Sequence, residues 1–147
     1  MKLKHILALC CWLALPLSSA ELVKLRTEYT ETPLGLDVET PRFSWQLHST
    51  LQGHYQTAYQ LQVTDEQGSV VWNSGKVKTD TSVNIEYAGR ELQPSTRYSW
   101  QVVVWDNQRK KLQAESWFET GLLDAGPDLT AWDGAQWIGG TGEDLVL

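Results

Sequence analysis

Apolar and polar residues alternate along most of this chain, and no stretch of useful length carries a helical stripe. The first alternation is Leu25, Thr27, Tyr29, closed by the turn residues Pro33-Leu34-Gly35. Phe43, Trp45 and Leu47 then point one way while Arg42, Ser44 and Gln46 point the other. Tyr59, Leu61 and Val63 repeat the pattern against Gln60, Gln62 and Thr64. Asp65-Glu66-Gln67-Gly68 predicts a hairpin turn into Val70, Val71 and Trp72, and Asn73-Ser74-Gly75 turns the chain again. Val83, Ile85 and Tyr87 form a fifth run, Tyr98, Trp100, Val102 and Val104 the longest one, and Ala114, Ser116, Phe118 and Thr120 the last. Seven short strands with turn signals roughly every 8–12 residues predict an all-β sandwich of the fibronectin type III or immunoglobulin-like kind.

One segment sharpens that expectation. Leu92, Pro94, Thr96 and Tyr98 alternate just before the longest strand. This resembles the corner at which a fibronectin type III chain crosses between sheets, with the tyrosine hydroxyl bonded back to upstream backbone. Trp45 and Trp100 share the parity of the core-facing residues and are expected inside. Trp105 and Trp117 fall on the opposite parity. An outward indole either stacks on a sugar ring or packs against a neighbouring domain.

The two ends read differently from this middle. Lys2 and Lys4, the apolar run Ile6–Leu17 and the small residues Ser18-Ser19-Ala20 make residues 1–20 a secretory signal peptide. The run is short for a membrane span, so the chain is expected to be exported, to periplasm or medium, and free of the membrane after cleavage. Both cysteines, Cys10 and Cys11, lie in that leader, so the mature chain has no disulfide to lean on. Residues 21–123 form the sandwich, and 124–131 have linker composition. Residues 132–147 read as the truncated start of a following β-sandwich module, too short to bury Trp132, Trp137 and Ile138 alone.

Charge and composition narrow the chemistry. The chain has 147 residues and a net charge of −6. Losing Lys2 and Lys4 with the leader lowers this by two, and so acidic a surface repels phosphate backbones and excludes nucleic acid as an expected partner. Three histidines and two cysteines are too few for a zinc or iron–sulfur site, and no cofactor is expected. His48 and His54 read as surface-loop residues. Asp37 and Glu39, or Glu28 and Glu31, could be called carboxylate pairs for glycoside hydrolysis. Among 18 acidic residues such pairs are expected by chance and read as solvated surface. Asp37 also fits a cap on the Pro33–Asp37 turn. The basic clusters Lys76–Lys78 and Arg109-Lys110-Lys111 read as solubilising edge and loop residues. No catalytic residue can be named.

A family resemblance runs through the mature chain. It is carried by Leu25-Arg26-Thr27-Glu28-Tyr29, Pro33-Leu34-Gly35-Leu36-Asp37, Pro41-Arg42-Phe43-Ser44-Trp45 and Gln56-Thr57-Ala58-Tyr59-Gln60-Leu61-Gln62-Val63. Trp72-Asn73-Ser74-Gly75-Lys76-Val77, Trp117-Phe118-Glu119-Thr120-Gly121 and Ala135-Gln136-Trp137-Ile138-Gly139 continue it. In this order the motifs resemble the N-terminal end of bacterial α-L-rhamnosidases of glycoside hydrolase family 78. The resemblance implies a multidomain exported enzyme that hydrolyses terminal α-L-rhamnose with inversion, on two acidic residues of an α/α-barrel that this chain does not contain. It makes this chain an accessory module whose partners are the neighbouring domains of its own polypeptide, with rhamnose-containing glycans as a further partner. The alternative is a free-standing exported carbohydrate-binding module using Trp105 and Trp117.

Overall fold

The computed structural model describes residues 20–123; the expected linker and following module lie outside them, as does the expected leader apart from its last residue, Ala20, which begins the first strand and pairs with Ser49. Seven strands form two antiparallel sheets. β1 (Ala20–Thr27), β2 (Arg42–Ser49) and β5 (Ile85–Glu86) make one, in the order β1-β2-β5. β3 (Gln56–Thr64), β4 (Val70–Asn73), β6 (Arg97–Asp106) and β7 (Lys111–Glu119) make the other, in the order β4-β3-β6-β7. The expected all-β, immunoglobulin-like sandwich is the fold observed.

The alternation builds the core directly. Phe43 and Trp45 from β2 meet Leu61 and Val63 from β3, Trp100, Val102 and Val104 from β6, and Phe118 from β7, each at most 1% exposed. Aromatic rings interlock across the gap between sheets. Phe43 lies 4.9 Å from Trp100 and 5.9 Å from Phe118, and Trp45 meets Tyr59 edge-on at 5.2 Å. The two central tryptophans differ in one respect. The Trp45 indole donates to Gln56 Oε1 at 2.8 Å, and the buried Gln56 amide in turn donates to Thr81 O. Trp100 Nε1 is buried with no hydrogen-bond partner among the described residues.

The corner forms as its sequence predicts. The Tyr98 hydroxyl accepts the Gln93 N–H at 2.8 Å, in a side chain only 2% exposed. Thr120 locks the same corner from β7's end. Its hydroxyl donates to Gln93 O at 2.7 Å and accepts the Thr96 N–H at 3.0 Å.

Three local expectations change. β1 ends at Thr27, because Glu28 and Tyr29 take positive φ values of 48° and 65°, leaving Tyr29 59% exposed. An extra residue in β1, near Lys24 at φ 50°, also shifts its register against β2 between Val23 and Arg26. The 83–87 run shrinks to Ile85–Glu86, with Val83 55% exposed. Asp37 does not cap its own turn. It reaches forward to the Leu123 N–H at 3.2 Å, tying the loop after β1 to the point where the sandwich ends.

Candidate functional site

The outer face of the four-stranded sheet carries both outward tryptophans. Its register sets Trp105 opposite Lys111 on β7 and Ala58 on β3, while Trp117 stands opposite Ser99 on β6. The two rings are therefore six residues apart along β6, about 20 Å at roughly 3.3 Å per residue. That separation rules out a shared platform for one sugar ring. Between them the face is amide-rich, with Gln60, Gln62, Gln101 and Gln113 pointing outward. A shallow trough of about 450 Å³ next to Trp117 is lined by Gln62, Thr64, Ser99, Gln101 and Glu115.

Neither ring is bare. Lys76 Nζ sits 4.0 Å and Lys111 Nζ 5.4 Å from the Trp105 ring centre. The Arg97 guanidinium lies 4.3 Å from that of Trp117, and is itself held by Glu119 Oε2 at 3.0 Å. Each contact is worth roughly 0.5–1 kcal/mol at an exposed site. A sugar stacking on a cation-covered face would have to displace the cation first. The basic clusters therefore do more than solubilise an edge: Lys76 and Lys111 cover an aromatic ring, which no alternation rule predicts.

The carboxylates expected to be free surface divide. Glu28 is engaged by Arg42, whose side chain donates to both of its carboxylate oxygens at 3.0 and 2.7 Å and whose backbone N–H adds a third bond at 2.7 Å. The Arg42 side-chain hydrogen bonds hold the Glu28 carboxyl below its usual range, against the opposing effect of burial. Asp37 is engaged at Leu123. One member of each candidate pair is thus held by the fold.

His54 corrects the surface-loop reading. Its side chain is 1% exposed, with Nε2 at 2.8 Å from Asp106 Oδ2 and Nδ1 at 2.7 Å from Ser49 Oγ. Asp106 is fully buried, and its Oδ1 also accepts the N–H groups of Gln108 and Lys110. Burial pushes its carboxyl up, but the bonds from His54 and those two amides outweigh this and leave it below the usual carboxylate range. An ionised Asp106 only accepts, so Nε2 carries the hydrogen. Serine, histidine and aspartate in a row resemble a nucleophilic triad. The ring is sealed from solvent, however, and Ser49 Oγ already accepts the Leu51 N–H. The cluster is a clasp joining the β2–β3 loop to the β6–β7 loop. Sequence alone missed it because 52 residues separate His54 from Asp106. Among the described residues no group of His, Cys, Asp and Glu is placed to hold a metal. Trp132 and Trp137 lie outside the described residues.

A two-sheet antiparallel sandwich with a tyrosine corner and a sealed aromatic core is an immunoglobulin-like module. Comparison with known proteins makes this specific. Residues 22–124 match the family described as Rha78A-like, N-terminal immunoglobulin domain, and the chain belongs to that family. It is 41% identical over 128 residues to an alpha-L-rhamnosidase of Streptomyces avermitilis, covering 83% of this chain and 12% of that protein. It is 35% identical over 129 residues to one of Formosa agariphila, covering 82% of this chain and 13% of that protein. The crystal structure of the Streptomyces avermitilis alpha-L-rhamnosidase complexed with L-rhamnose superposes with a TM-score of 0.66 at 42% identity, over 71% of this chain and 11% of that one. The chain thus spans about an eighth of the length of the relatives it matches.

Proposed function

We propose that this chain is the N-terminal accessory module of an exported α-L-rhamnosidase. In this reading it positions the neighbouring domains, while hydrolysis of terminal α-L-rhamnose, with inversion, belongs to a catalytic domain outside these 147 residues. The observation that carries the reading is the family match over residues 22–124, together with far longer relatives named for that activity. The engagement of Glu28 by Arg42 and of Asp37 by Leu123 supports it, since both carboxylates serve the fold. Export rests on the leader pattern of residues 1–20.

A free-standing carbohydrate-binding module is the competing reading. The spacing of about 20 Å and the cations on both rings speak against Trp105 and Trp117 as its platform. The test titrates L-rhamnose and a rhamnosylated oligosaccharide into the chain while following tryptophan fluorescence, with a chromogenic α-L-rhamnoside as activity probe. The accessory reading expects flat titrations and no hydrolysis. Saturable quenching that disappears in Trp117→Ala or Trp105→Ala would replace it with the binding module.

A further inference from the structure

Two cations gather at Trp105. Lys76 Nζ lies 4.0 Å and Lys111 Nζ 5.4 Å from its ring centre, and neither lysine forms an ion pair among the described residues. Trp117 differs, because Glu119 neutralises the arginine over it. Like charges at one ring repel each other, a cost that a shared anion turns into a gain. The excess of cations is local. The chain has 18 acidic against 12 basic residues, yet the loop beside Trp105 reads Asn107-Gln108-Arg109-Lys110-Lys111. Its backbone is fixed: Asp106 Oδ1 accepts the Gln108 and Lys110 N–H groups, the Asn107 N–H donates to Tyr55 O at 3.0 Å, and sealed His54 anchors Asp106. On the other side, Val77 exchanges both backbone bonds with Tyr59, at 2.8 and 2.9 Å, which sets Lys76 beside β3. The next outward position on β6, Val103, stands opposite Gln60 on β3 and Gln113 on β7. Register thus brings two amides to within about 7 Å of the indole along the strand. Glu115, the first outward carboxylate on β7 after Lys111, is four residues on, about 13 Å away.

We propose that the Trp105 face is a binding site for an acidic sugar, a hexuronate residue of a polysaccharide. A neutral sugar has to displace both cations from the ring and returns nothing to them. A uronate brings the anion that takes them. Lysine stems are flexible, so both ammoniums swing from the indole onto the carboxylate, and the bared ring receives the apolar face of the sugar that carries it. Gln113 and Gln60 then meet the hydroxyls. Gln113 is exposed, and Gln60 donates to Asn73 Oδ1 at 3.0 Å, which orients its amide and keeps its oxygen as an acceptor. An acidic peptide would satisfy the lysines but leave the indole and the amides unused. The site goes beyond the accessory role and does not depend on the activity proposed for the parent enzyme. Uncharged rhamnosides lack the carboxylate and still give flat titrations.

The test titrates the chain with trigalacturonate, with its fully methyl-esterified form and with triglutamate, by calorimetry at low salt. Trigalacturonate should bind saturably. The ester, which keeps the rings and loses the charges, should bind at least about tenfold more weakly, and so should triglutamate, which keeps the charges and loses the rings. Both comparisons use the unchanged chain. Lys76→Gln combined with Lys111→Gln should weaken trigalacturonate at least about tenfold, and both side chains are exposed, so the fold is not burdened. Trp105→Ala should weaken it with every charge in place, while Lys24→Gln, on β1 of the other sheet, should leave it unchanged. No saturable binding of trigalacturonate, an ester or a triglutamate that binds as well, or affinity indifferent to loss of both lysines would overturn the proposal. A parent enzyme that fails to cleave a rhamnoside would leave these affinities untouched, so the two readings fail separately.

Discussion

Replacing His54 by alanine should destabilise this domain far more than its loop position suggests. His54 Nε2 is the partner of Asp106 Oδ2, and both side chains are sealed, at 1% and 0% exposure. Removing one member of such a pair costs about 3–5 kcal/mol, because a buried charge is left uncompensated. Asp106 Oδ1 keeps its bonds to Gln108 and Lys110, so the loss should sit at the low end, about 3 kcal/mol. For a domain of about 100 residues that is a fall in Tm of about 12–24 °C. Thermal unfolding followed by circular dichroism measures it directly. The acid limb gives a second readout. The folded-state pKa of Asp106 lies below its ordinary 3.8, so its contribution is present above that pH and drains away as pH falls through the folded value. The parent chain should therefore lose stability more steeply than His54→Ala does as pH falls below about 4. A variant melting within about 4 °C of the parent, with the same acid limb, would refute the clasp.

Other substitutions test the remaining framework. Trp45→Phe should cost at least about 1 kcal/mol more than Trp100→Phe, since only Trp45 loses a buried hydrogen bond, to Gln56; denaturant midpoints at constant slope decide it. Tyr98→Phe should cost about 1–3 kcal/mol by stranding the Gln93 N–H, and a variant indistinguishable from the parent would mean that the corner bond is dispensable. Gly121→Ala should cost about 1–3 kcal/mol, because the new methyl runs into the Asp37 carboxylate and lies 3.0 Å from Gly35 O; an unchanged Tm would contradict that packing. Burial pushes the Tyr87 hydroxyl up to about 12 from 10.0, so unfolding releases its proton more easily and stability should fall as pH rises from 10 to 12. Tyr87→Phe should flatten that alkaline limb.

The fold was legible because its signals are local. Period-two alternation placed Phe43, Trp45, Leu61, Trp100 and Val104 inside, and the spacing from Leu92 to Tyr98 marked the corner. The features that escaped depend on contacts between distant segments. Asp37 looked like a turn residue and instead bonds 86 positions along the chain. His54 looked exposed because its polar neighbours in sequence say nothing of Asp106. The parity that turned Trp105 and Trp117 outward was readable, but not the lysines and arginine over their rings, which come from β6, β7 and the segment after β4. The ends of β1 and β5 shifted for a backbone reason, the positive φ of Glu28, Tyr29 and Asn84, which alternation does not register.

The most direct test of the accessory-module account compares this chain with the protein extended beyond Leu147 on an aryl α-L-rhamnoside, tracking the released sugar by proton NMR. The account predicts that residues 1–147 leave the substrate intact. It predicts that the extended protein cleaves it and releases the β anomer of L-rhamnose first. Hydrolysis by the 147-residue chain itself, or an extended protein that folds and does not cleave, would contradict it.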